Sequence, residues 1–159
     1  MRDDEAFTRF VMQAYPGLLR RAFLLVGDHG RAEDLVQTSL ASAYGRWGRI
    51  RQPEAYLRTV MTRHAVRWGA RRWNREYPTG NLPERSVGAG TPADVDLSVA
   101  VQRALMSLPV EQRAVVVQRY FDGCTEAEIA KALRCSPGTV KSRSSRALAA
   151  LRASGMLDG

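Results

Sequence analysis

Residues 125–146 read TEAEIAKALRCSPGTVKSRSSR, and the last eleven of them gather Ser136, Thr139, Lys141, Ser142, Arg143 and Arg146. Hydroxyls at Ser136 and Thr139 are suited to phosphate oxygens or base edges, and the cations Lys141, Arg143 and Arg146 to phosphates or guanine. This is the chemistry of recognition, not of bond-breaking. It needs a helix that enters a major groove with its polar residues close to its start.

The flanking residues can build that helix. Ser136 is a natural N-cap and Pro137 a natural first helical residue. Upstream, Thr125 and Glu128 have the spacing of a capping box. Ile129, Ala130 and Leu133 face inward from the first helix, and the small Ala130 lets a second helix cross closely. Val140, Ala147, Leu148 and Leu151 supply that second helix with a buried stripe. The pattern predicts a helix-turn-helix. A helical hairpin whose charged face meets only water is the competing reading, and the coincidence of caps, small crossing residue and basic face argues against it.

A second basic group lies near the other end of the chain. Arg58, Arg63, Arg67, Arg71 and Arg72 recur at four- and five-residue steps in the first four and run along much of one helix. Tyr44, Trp47, Tyr56, Trp68 and Trp73 are close by, so cations and π-faces for holding a single strand are both present. Tyr44 and Trp47 read as core residues, while Tyr56 suits either role. His64 sits on a largely apolar face and reads as a packed or hydrogen-bonded residue.

The whole 159-residue chain carries a net charge of +8, which favours a polyanionic partner. Residues 1–75 hold 14 basic and 7 acidic residues, for +7; residues 76–95 carry −2 and residues 96–159 carry +3. All the basic residues except Lys131 and Lys141 are Arg, which fits phosphate grip and a GC-rich genome equally well.

Apolar stripes predict four amphipathic helices in residues 1–75: one from Phe7 to Ala14 that breaks at Pro16-Gly17, one from Leu18 to Val26, one from Ala32 to Trp47, and one from Tyr56 to Trp68. Residues 76–92 hold three Pro and three Gly with no sustained period, and read as a flexible linker. Thr91 and Pro92 then look like a helix start, and Pro109 like another. The expected fold is all-α: two small helical domains, 1–75 and 93–159, joined by that linker, with the helix-turn-helix in the second.

Several classes are disfavoured. Cys124 and Cys135 form no CxxC pair and lie far from His29 and His64, so neither a metal nor another cofactor is expected, and both thiols read as small buried hydrophobes. No Ser, Cys or paired-acid constellation surrounds either His, and no phosphate-binding glycine loop occurs, so the chain reads as no enzyme. No stretch approaches the roughly 18 apolar residues of a membrane span, and the N-terminus lacks a secretory core. A cytoplasmic location without membrane insertion is expected.

The segment LMSLPVEQRAVVVQRYFDGCTEAEIAKALRCSPGTVKSRSSRALAALR resembles the C-terminal domain of extracytoplasmic-function (ECF) sigma factors of bacterial RNA polymerase. RAEDLVQTSLASAYGRW followed by PEAYLRTVMTRHAVRWGARR is similar to their N-terminal domain, and LLRRAFLLVGDHGRAEDLVQTSLASAYGRW looks most like an actinobacterial subgroup. The resemblance implies a sigma factor that binds core polymerase and directs promoter recognition. It implies docking on the largest subunit through Asp34, Leu35, Gln37 and Thr38. It implies −10 contacts from Arg49 and Arg51 in the 48–53 loop and from Tyr56, Arg58, Arg63, Arg67, Arg71 and Arg72. The C-terminal domain would read the −35 element and pack on the second-largest subunit, and an anti-sigma factor would sequester the chain. Thr38 stands where many members carry an acid, and His64 and Trp68 where many carry Asn and Asp. The alternative is a stand-alone regulator whose helix-turn-helix binds an operator while residues 1–75 sense or dimerise; the Asp-Leu-Val-Gln run beside an Arg-rich helix argues against it.

Overall fold

In the computed structural model the backbone is described for residues 4–75 and 92–155, and side chains for those of them outside 70–98. The described residues form seven α-helices and no strand: α1 (Asp4–Val26), α2 (His29–Gly45), α3 (Pro53–Arg75), α4 (Pro92–Met106), α5 (Val110–Val116), α6 (Glu126–Leu133) and α7 (Pro137–Ala153). A single 3₁₀ turn, Trp47–Arg49, follows α2, and a π-helical turn, Val117–Phe121, follows α5. The all-α expectation holds. The expected linker lies outside the described residues except for Pro92, and so does the cap expected of Thr91.

The break expected at Pro16 does not occur, so residues 4–75 form three helices instead of four. A proline inside a helix removes one hydrogen bond and crowds the carbonyl four residues earlier. Here Pro16 and Met12 both lie on the exposed side, where water can satisfy the freed carbonyl. On the opposite side Phe7, Val11, Ala14, Leu18, Ala22 and Leu25 continue one stripe at three- and four-residue steps across the proline. Packing of that unbroken stripe outweighs the local defect.

The helix joints are set by local chemistry. Gly27 ends α1 with φ +73, and Asp28 then caps α2, its carboxylate accepting from the Arg31 amide at 2.9 Å. Tyr44 and Trp47 turn back onto α1, Phe7 lying edge-on to each ring at 5.1 Å between centroids. Both are half-buried and pack on Phe7 outside the main apolar core, so their reading as core residues is not met. Pro109 is the N-cap of α5 and not its first residue.

The two halves do not stand apart. One apolar core runs from Leu18, Leu25, Leu35, Leu57 and Met61 to Leu105, Leu108, Val116, Val117 and Leu151. Helix α5 packs against both α1 and α3, and α6 against α3. A smaller cluster of Val115, Ile129, Ala130 and Val140, with Cys124, Leu133 and Cys135 around it, holds the helix-turn-helix together. Val115, Ile129 and Val140 are each fully buried, which contributes roughly 1.5–3 kcal/mol per side chain by transfer from water.

Candidate nucleic-acid interface

The capping box forms as the sequence predicts. Thr125 Oγ1 accepts from the Glu128 amide at 3.1 Å, and Glu128 Oε1 accepts from the Thr125 amide at 2.9 Å. The Thr125 amide, and after it the Thr125 hydroxyl beside the carboxylate, hold the Glu128 carboxyl below the usual carboxylate range. At the far end of α6 the chain turns through Arg134, which adopts the left-handed conformation at φ 56, ψ 47. Glycine is the usual residue there, so the turn could not be located from residue type. The Cys135 amide then closes it on the Ala130 carbonyl at 3.0 Å.

Ser136 caps α7, accepting from the Thr139 amide at 3.1 Å, with the two hydroxyls 3.0 Å apart. Lys141, Ser142 and Arg146 are exposed, while Val140 and Ala147 on the opposite side are fully buried. Arg143 is half-buried: its guanidinium lies 3.6 Å from the Glu111 carboxylate and 4.0 Å from Cys135 Sγ. Glu111 was not expected at this site. It lies on α5, far from Arg143 in sequence, so no local pattern announces it.

The arginines of the 48–53 loop and of α3 divide between environments. Arg49, Arg51 and Arg67 are exposed. Arg58 is half-buried, near Glu54 at 3.9 Å. Arg63 points at the C-terminal end of α6, donating to the Ala132 carbonyl at 2.8 Å and the Lys131 carbonyl at 3.4 Å. Burial and the Arg134 guanidinium nearby lower its pKa from the usual arginine value. The side chains of Arg71, Arg72 and Trp73 lie outside the described residues. Tyr56 is half-buried against the core. The His64 ring lies 6.3 Å from that of Trp68, and burial and Arg67 push its pKa down.

On α2, Asp34, Gln37 and Thr38 are exposed on one face. Leu35, grouped with them on the sequence, is fully buried; it anchors the helix and presents nothing to a partner. Arg31 of α2 and Trp68 of α3 join Asp34, Gln37 and Thr38 in lining one open groove. Trp68 thus adjoins the α2 face, a neighbourhood that linear spacing does not show. Among the described residues no cluster of three or more His, Cys, Asp or Glu is placed to hold a metal ion. Cys124 and Cys135 are free thiols, half-buried rather than fully buried, and burial pushes the Cys124 thiol up.

Two family models match the sequence: Sigma-70 region 2 over residues 10–75 and Sigma-70, region 4 over residues 98–151. The RNA polymerase sigma-E factor of Streptomyces coelicolor is 42% identical over 149 residues, covering 92% of this chain and 84% of that protein. The ECF RNA polymerase sigma factor SigM of Mycobacterium tuberculosis is 36% identical over 151 residues, covering 94% and 76%. Two solved structures share the fold. The sigma factor RpoE from Bartonella quintana, in complex with the anti-sigma factor NepR, superposes with a TM-score of 0.66 at 24% identity, covering 98% of this chain and 99% of that one. CnrH in complex with the cytosolic domain of CnrY gives 0.65 at 20% identity, covering 99% and 92%.

Proposed function

Since the chain belongs to the extracytoplasmic-function sigma factors, which direct RNA polymerase to promoters, we propose that its two halves grip two promoter elements while α2 holds the polymerase. Residues 93–159 read the −35 duplex through Ser136, Thr139, Lys141, Ser142, Arg143 and Arg146 on α7. Residues 1–75 engage the −10 element through the arginines of the 48–53 loop and α3. Asp34, Gln37 and Thr38 dock on the largest polymerase subunit, with Leu35 positioning them from the core.

The observation that carries this division is the conjunction of two surfaces in one chain: a capped recognition helix with exposed cations, and an exposed acid–amide–hydroxyl face on α2. A stand-alone operator-binding regulator needs the first and has no use for the second. Catalysis is not part of the role; the chain supplies positioning and charge. The protein works in the cytoplasm, where core polymerase and chromosome are, and no described helix is long and apolar enough to cross a membrane.

Run-off transcription with purified core polymerase on genomic fragments tests the reading. Discrete transcripts that appear only when the chain is added are expected. Tight operator binding with no polymerase-dependent transcript would sink it. One protein of the same fold is held by an anti-sigma factor, and we infer a regulator of that class here, which co-purification from the native host should recover.

A further inference from the structure

The turn between α6 and α7 carries a residue that its shape disfavours. Arg134 has φ 56 and ψ 47, and it is the one non-glycine residue with a positive φ among the described residues. For an L-residue this conformation crowds Cβ against the following carbonyl, and glycine escapes the clash. Glycine is also what helices most often use at this place. An arginine here leaves the fold less stable than a glycine would, and an outlier of this kind is a starting point for inferring function.

Contacts within the chain do not account for the side chain. Arg134 is exposed. Among the described residues its hydrogen bonds come from the backbone amide, to the Ala130 and Lys131 carbonyls, and none from the guanidinium. A helix C-terminus favours a cation, but the last carbonyls of α6 already have donors. Arg63 donates to those of Ala132 and Lys131, and the Cys135 amide to that of Ala130. Arg63 is itself a cation, and the two guanidinium groups repel each other.

Position does account for it. Ser136, the cap of α7, is two residues on, and Ser136, Pro137 and Gly138 are exposed like Arg134. In a helix-turn-helix the start of the second helix enters the major groove while the first helix crosses the backbone. The residue that joins them stands over the wall of the groove, where the phosphates run. Lys131, on the last turn of α6, is exposed as well, whereas the acids Glu126 and Glu128 lie at the other end of that helix. Positive charge is thus gathered at the end of α6 that adjoins the recognition helix.

We propose that Arg134 is a phosphate anchor of the −35 grip, its guanidinium bonding the DNA backbone beside the groove that α7 enters. The inference rests on the reading of α7 as the −35 recognition helix. A phosphate contact fixes register and orientation without reading sequence. Arg134 therefore adds affinity for any duplex, and the side chains of α7 choose among duplexes.

Arg134→Gly separates fold from function, because the two should move in opposite directions. Relieved of the left-handed clash, the full-chain variant should melt about 2–4 °C above the wild type. Holoenzyme reconstituted from it and purified core polymerase should bind duplex about three- to tenfold more weakly at 0.1 M salt, with a salt slope lower by about 0.9. The loss should be equal on a duplex selected from a random pool by the wild-type holoenzyme and on its scrambled counterpart. Arg134→Asn tolerates the left-handed turn without the charge and should bind as weakly as Arg134→Gly. Arg134→Lys keeps the charge and should recover the wild-type slope. An unchanged slope in Arg134→Gly overturns the anchor, and a lower melting midpoint beside it assigns Arg134 to the fold. Wild-type binding by Arg134→Asn overturns it too, since a loss seen only with glycine comes from a loosened turn. A loss confined to the selected duplex makes Arg134 a base reader instead. If the wild-type holoenzyme binds neither duplex, the −35 reading itself falls and takes the anchor with it.

Discussion

Arg143 offers a direct test of the proposed −35 surface, because the structure gives it a competitor. Its guanidinium is 3.6 Å from the Glu111 carboxylate, with the two side chains 26% and 52% exposed. To read a base, Arg143 must leave that carboxylate. An ion pair this open to water is worth about 0.2–1 kcal/mol. Glu111→Gln should therefore tighten binding to the −35 duplex by about that amount, roughly 1.4- to fivefold. Arg143→Ala should weaken it by about 1–3 kcal/mol if the side chain reads a base. In the Arg143→Ala background the gain from Glu111→Gln should shrink, because only general repulsion between the acid and the DNA is left to relieve.

The assay is a double-mutant cycle by fluorescence anisotropy, on a duplex selected from a random pool by the full chain. Repeating it on a scrambled duplex separates two roles. A phosphate contact weakens both duplexes alike and lowers the salt slope by about 0.9; a base contact weakens only the selected one. An affinity unmoved by Glu111→Gln, or a gain that persists undiminished without Arg143, would refute the competition.

Asp34→Ala combined with Gln37→Ala should abolish co-purification with core polymerase while leaving the circular dichroism of the helices unchanged; full retention would remove α2 from the docking role. Ser136→Ala should cost about 1 kcal/mol of stability through the lost cap, seen as a lower thermal midpoint. Ser136→Asp keeps the cap and should recover most of that midpoint, yet bind duplex more weakly because its charge faces phosphates; undiminished binding would leave Ser136 with the cap alone. Burial and Arg67 hold the His64 imidazole below its ordinary value. The folded state thus prefers the neutral ring, and its contribution to stability is intact above about pH 6.5 and lost as pH falls below it. The ring's NMR titration midpoint should lie below 6.5, and one at or above 6.5 would contradict this environment.

The helix-turn-helix was legible because its determinants are local. A capping box spans four residues, and an N-cap with a following proline spans two, so Thr125, Glu128, Ser136 and Pro137 declare their geometry without reference to the rest of the chain. The αL turn at Arg134 was not legible, since its conformation comes from the packing of α6 on α7 rather than from residue type. Pro16 misled for the opposite reason: a strong local breaker lies on the solvent side of a stripe long enough to carry the helix past it. Leu35 shows the limit of a motif, because neighbours in sequence on a helix face different directions. The joining of the halves was half-visible. Arg21 interrupts an apolar face between Leu18 and Leu25, which signals a buried partner without saying which residue that is.

The kinds of contact across the joint contribute differently to it. Arg63 on the end of α6 is a cation at a helix C-terminus, an arrangement worth about 0.3–1 kcal/mol, and DNA phosphates can compete for it. The ion pair of Arg21 with Asp122, both under one-tenth exposed, is different in kind. Deleting one partner would strand a buried charge, but separating the two returns both to water, so such a pair fixes geometry more than it adds stability. What holds the two halves against each other is the apolar surface of Leu105, Leu108 and Val116 against the N-terminal core, because it gains nothing from rehydration.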